Sequence, residues 1–115
     1  MMDFAPGPRI QITSSETRGS LLVEISGPLT ASDRDLLQEA IVGHLNAGCR
    51  DFILRMRGVT NIDSVGLGQL ISVYKLIKAN DGSMRISSPS KRVCERLRTT
   101  RLDTVFDIFY DETAA

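Results

Sequence analysis

The 115-residue chain has no excess of either charge, no long apolar run, a single histidine and only two cysteines. Each shortage removes a class of function. Lys plus Arg and Asp plus Glu both number 14, so nothing in the overall charge calls for nucleic acid or an anionic membrane as main partner. No apolar stretch approaches the roughly 20 residues that a membrane-spanning helix needs. Cys49 and Cys94 stand far apart and in no metal-ligand spacing, which fits reduced thiols and no bound metal. The first residues, Met1-Met2-Asp3-Phe4-Ala5-Pro6-Gly7-Pro8, carry neither a basic start nor an apolar h-region. These absences predict a soluble, cytoplasmic protein without cofactor. The chain is also long enough to bury a core without disulfides or metal.

What is present alternates in period. Residues 1–8 read as a flexible leader and residues 9–112 as a single domain. Arg9-Ile10-Gln11-Ile12-Thr13 alternates polar and apolar, and Leu21-Leu22-Val23-Glu24-Ile25 follows after a polar turn, closed by Gly27-Pro28. Two such strands predict an N-terminal hairpin. Leu36, Leu37, Ala40, Ile41 and Leu45 then recur at helical spacing, with Thr30 or Ser32 as candidate cap and Gly48 where a left-handed terminal residue is wanted. Residues 52–56 suit a strand covered on both faces. A polar connection, residues 58–64, leads to a second amphipathic helix marked by Leu67, Leu70, Ile71, Tyr74 and Ile77. Met84-Arg85-Ile86 reads as a strand and Ser88-Pro89-Ser90 as the cap of a third helix. Residues 105–109 fit either a last short strand or a helical turn. The order predicts an α/β fold, a hairpin followed by alternating helices and strands with helices packed on a mixed sheet.

The segment that carries chemistry is Asn61-Ile62-Asp63-Ser64-Val65-Gly66-Leu67-Gly68. A strand-to-helix turn here places Ser64 at or near a helix N-cap, where its hydroxyl can accept from a backbone N–H. A phosphate on Ser64 would sit beside free N–H groups and the positive end of the helix dipole. Gly66 and Gly68 each cost about 1 kcal/mol in a helix interior. Their presence in one first turn points to a close approach, by a partner or by the sheet beneath.

Asp63-Ser64-Val65-Gly66-Leu67-Gly68 resembles the Asp-Ser-x-Gly-Leu-Gly signature of STAS domains, specifically bacterial anti-sigma factor antagonists. The resemblance extends over the hairpin, the Gly27-Pro28-Leu29 turn, the helix through Tyr74-Lys75-Leu76-Ile77 and the run from Ile86 to Val93. It implies a STAS-like fold and a switch. The unphosphorylated antagonist binds an anti-sigma factor, itself a serine kinase of the histidine-kinase-like ATPase type, and releases the sigma factor. Phosphorylation of Ser64 reverses this, and a phosphatase resets it. Asp63, Ser64, Val65, Gly66, Leu67 and Thr30 are the implied partner-binding residues. Thr30 stands where family members often have Asp, and Val65 where many have a small or hydroxyl residue. A monomer is the expected state.

Rival readings are fewer. Serine hydrolysis needs a base, and a nucleophile elbow needs Gly two residues before the serine; Ile62 stands there, and His44 has no evident acid partner. A phosphoryl donor needs a Walker loop or a kinase signature, and neither is present. The chain is therefore not expected to be an enzyme. A STAS subunit of a stress-signalling complex or a membrane transporter, or an interaction module that is never phosphorylated, remain the alternatives. The cations of residues 91–101 read as a solvated helix face at its dipole-compatible end.

Overall fold

A computed structural model describes residues 9–31 and 35–110. Residues 1–8, expected as a leader, Ser32, expected as a cap, and residues 111 and 112, expected as the domain's end, lie outside them. The order is β1 (Gln11–Thr17), β2 (Ser20–Leu29), α1 (Leu36–Asn46), β3 (Asp51–Ile62), α2 (Ser64–Ala79), β4 (Ser83–Ser87), α3 (Lys91–Thr99), a 3-10 turn (Leu102–Thr104) and β5 (Asp107–Phe109). The described strands form one sheet in the order β1-β2-β3-β4-β5. β1 pairs antiparallel with β2; the other three pairings are parallel. The expected hairpin and mixed sheet are both present.

β2 alternates without a break over ten residues, with Leu21, Val23, Ile25 and Leu29 buried in one core with the helices. From β3, Phe52, Leu54 and Met56 join that core, and Leu70, Val73 and Ile77 of α2 close over it at 0% exposure. Complete burial of side chains this size contributes about 1.5–3 kcal/mol each. The other face of the sheet is only half-covered: Leu22 lies beside Ile53, and Glu24 beside Arg55, whose guanidinium is 3.7 Å from the carboxylate. β3 is thus not the doubly covered strand that its apolar run suggested.

Two further expectations are corrected. Gly27-Pro28 does not close β2, which continues to Leu29. β1 stops pairing at Ser26, so Pro28 lies on what is locally an edge, where a missing N–H costs little. The polar connection of residues 58–62 is the second half of β3, carried alongside Gly27–Leu29. Its register against β2 slips twice, between Glu24 and Ser26 and between Gly27 and Pro28, each slip giving β3 one extra residue. The inward positions therefore fall at Met56, Val59 and Ile62, a spacing of three that disguises a strand.

The helix ends follow mostly local rules. Gly48 has φ +100° just past α1, as its place in the sequence required. Ser90 caps α3, its Oγ accepting from the Val93 N–H at 3.4 Å. α1 begins later than the Thr30 reading placed it: Asp35 is the N-cap, with no side-chain cap bond. The undecided last segment is a 3-10 turn followed by β5, and Phe106 between them meets Tyr74 edge-on at 5.3 Å.

Candidate functional site

The parallel strands deliver the signature to one end of the sheet. β3 enters it extended, and Asp63 keeps that conformation at φ −110°, ψ −173°, so its side chain caps the helix that starts one residue later. Asp63 Oδ1 accepts from the Gly66 N–H at 2.8 Å. Its Oδ2 accepts from the Ala31 N–H at 3.3 Å, across 32 residues of sequence. One carboxylate thus ties the start of α2 to the turn after β2. The Gly66 bond, the largest influence, holds the Asp63 carboxyl below its ordinary value against the cost of desolvation, helped by N–H groups of Ala31, Val65 and its own residue.

Ser64 is therefore not the cap. It is the first residue of α2, exposed, and no hydrogen bond holds its hydroxyl among the described residues. Of the N–H groups that sequence reasoning reserved for a phosphate, that of Gly66 is engaged by the Asp63 side chain. Val65 beside Ser64 is 36% exposed.

The two glycines separate. A Cβ on Gly66 would collide with the Leu29 carbonyl oxygen and lie 3.0 Å from Ile62 Cγ1, so bare backbone is required for α2 to seat on the sheet. A Cβ on Gly68 would meet nothing within 4 Å. Gly66 and Leu67 are buried and so sit beneath the surface that Ser64 and Val65 present. Thr30 is half-buried, and its carbonyl accepts from Gln69 Nε2 at 3.4 Å. Gln69 was not singled out by sequence reasoning. The available signal was a polar residue three positions after Gly66 on the buried stripe, where it is 8% exposed.

His44 lies elsewhere, with Nε2 3.1 Å from Ser14 Oγ. Both cysteines are free thiols, and burial pushes the Cys94 thiol up. Among the described residues no group of three His, Cys, Asp or Glu is placed to hold a metal, and no helix is long and apolar enough to cross a membrane.

With Asp63 as the cap, Asp63→Ala should cost about 1 kcal/mol at neutral pH. The sign with pH follows from the lowered pKa. A depressed carboxyl contributes stability above its unfolded value that is lost as pH falls through its folded value. Urea denaturation of wild type and Asp63→Ala should show a gap at pH 7 that narrows on the acid side of the ordinary carboxylate range. A gap that stays constant into strong acid would remove the carboxylate from the account.

The family model described as STAS domain matches residues 11–115. The anti-sigma-B factor antagonist of Bacillus subtilis (strain 168) is 25% identical over 99 residues, covering 86% of this chain and 90% of the relative. The anti-sigma F factor antagonist of Paenibacillus polymyxa is 29% identical over 110 residues, covering 92% of each. Among solved structures, the Bacillus cell fate determinant SpoIIAA in its phosphorylated form superposes with a TM-score of 0.67 at 18% identity, over 92% of this chain and 96% of that one.

Proposed function

The chain belongs to the STAS domain family, and from that premise we propose that it is an anti-sigma factor antagonist switched by phosphorylation of Ser64. The observation that carries the reading is the pairing of an exposed, unbonded Ser64 hydroxyl with an ionised Asp63 that already occupies the helix N-terminus. The unphosphorylated form presents Ser64, Val65 and the bare backbone of Gly68 to an anti-sigma factor, freeing its sigma factor. A kinase-type anti-sigma factor transfers phosphate to Ser64. That adds about −1.5 to −2 charge next to a carboxylate that cannot move aside without uncapping α2. The phosphate finds the Gly66 N–H taken and adds its charge beside the Asp63 carboxylate. Binding is lost by local repulsion, without refolding.

The protein acts by binding, not by catalysis, in the cytoplasm, and a phosphatase restores it. Thr30 replaces a carboxylate near the acceptor, which leaves Asp63 as the fixed negative charge of the site. The names of the Bacillus and Paenibacillus relatives support the antagonist role, and the phosphorylated SpoIIAA structure supports the switch.

The test is capture from the source organism's lysate with wild type, Ser64→Ala and Ser64→Asp as baits, read by mass spectrometry. A small ATPase-type anti-sigma factor should be recovered with the first two baits and not the third. Recovery of transporter subunits or a large stress complex would move the protein to another branch of the family.

A further inference from the structure

The two edges of the sheet are built differently. β5 is three residues long and carries Asp107, 3.6 Å from Arg85. Short, charged edges of this kind resist pairing with other chains. β1 is seven residues long and pairs with β2 in unbroken register from Gln11 to Thr17. Its sequence, Gln-Ile-Thr-Ser-Ser-Glu-Thr, holds no Lys, no Pro and one charge, Glu16. None of the described residues pairs with its outer side. Apart from Glu16, which falls on the inward face near the end of the strand, β1 has none of the charges, prolines or bulges that natural sheets use to blunt an edge.

A groove runs beside that edge. Ile10, Ile12, Ser14, Leu36, Glu39 and Ala40 line a depression of about 440 Å³ between β1 and α1. Leu36 at its mouth is 44% exposed. α1 connects two parallel strands, so it runs against them and in the same sense as β1; the Ser14–His44 bond at its far end fits that direction.

We propose that the outer edge of β1 and this groove form a self-association surface, on which a second copy pairs antiparallel about a two-fold axis normal to the sheet. Such an axis keeps both sets of helices on one side, so inward residues of β1 meet inward residues. Centred on Thr13 it sets Glu16 opposite Ile10 of the second copy; centred on Ser14 it sets Glu16 opposite Ile12. Neither arrangement brings the lone strand charge against itself. The two α1 helices then run antiparallel, with opposed dipoles. With the axis centred on Thr13, the acidic N-terminal half of each, with Glu39, faces the His44 end of the other; centred on Ser14, His44 meets its own copy, because it is bonded to Ser14. The Thr13-centred arrangement is favoured, because carboxylate there meets imidazole. The surface is its own complement, as an isologous contact requires. This favours a second copy over a foreign strand. Ser64 belongs to a helix beyond β3, so both copies keep their switch exposed, and the inference stands apart from the functional reading.

Sedimentation equilibrium of the full chain tests it, from about 5 µM to about 500 µM, where weak and moderate self-affinities are read. The weight-average mass should climb toward twice the monomer value. The double variant Thr13→Lys/Ser15→Lys places cations along the seam on exposed positions. Leu36→Glu alters the groove alone. Each should weaken association at least tenfold while the circular dichroism spectrum is unchanged. A chain that stays monomeric over the whole range overturns the proposal. So does a dimer that neither variant weakens, because its contact then lies elsewhere.

Discussion

Ser64→Asp weakens binding to the anti-sigma factor at least about a hundredfold, close to 3 kcal/mol, whereas Ser64→Ala stays within a few-fold of wild type. The reasoning starts at the cap. Because Asp63 accepts from Gly66, the Ser64 hydroxyl contributes nothing to the start of α2, and removing it leaves no buried group unpaired. Folding stability of Ser64→Ala should therefore lie within about 0.5 kcal/mol of wild type. A carboxylate at the first position of a helix is favourable to the helix dipole, so Ser64→Asp should be no less stable. Loss of binding with folding intact separates a switch from a damaged protein. Titration calorimetry with the purified partner, beside urea denaturation of each variant, reads both. Equal affinity for all three proteins would place the interface away from Ser64.

Gly66→Ala destabilises the fold by about 3 kcal/mol or more, the upper range for forcing a methyl into a packed site. The methyl would meet the Leu29 carbonyl oxygen, which belongs to β2, and Ile62 at the end of β3. Neither can yield without shifting the end of the sheet on which α2 rests. Gly68→Ala has the opposite sign. With no atom within 4 Å of its added methyl, it should gain up to about 1 kcal/mol from helix propensity. In the proposed interface Gly68 offers bare backbone to the partner, so Gly68→Ala should bind more weakly while folding more tightly. Denaturation midpoints of the two variants provide the check. Similar shifts in both would mean that α2 does not sit on β2 as described.

How far the sequence reveals this molecule depends on whether a feature is local. The hairpin, the stripe of α2, the Gly48 terminus and the Ser90 cap follow from spacing and residue type within a few positions, and all are found. Residues 58–62 hid as a strand because two extra residues in β3 replaced a period of two by a spacing of three. The cap of α2 was undecidable locally, since Asp and Ser both cap well. What selects Asp63 is distant: β3 holds it extended and the Ala31 N–H reaches it from the other loop. Gln69 escaped for a similar reason, because its role depends on a Thr30 carbonyl 39 residues away. The motif itself was legible, but not which of its members face outward. That division, with Ser64 and Val65 outside and Gly66 and Leu67 beneath, comes from packing alone.

The central claim concerns charge at Ser64, and the most direct measurement compares one protein before and after it acquires that charge. The chain is incubated with its purified anti-sigma factor and ATP, the modified residue is mapped by mass spectrometry, and both forms are titrated against fresh partner. The account predicts one phosphate, on Ser64, and binding by the unmodified form only. Phosphate on another residue, or equal binding by the two forms, would contradict it.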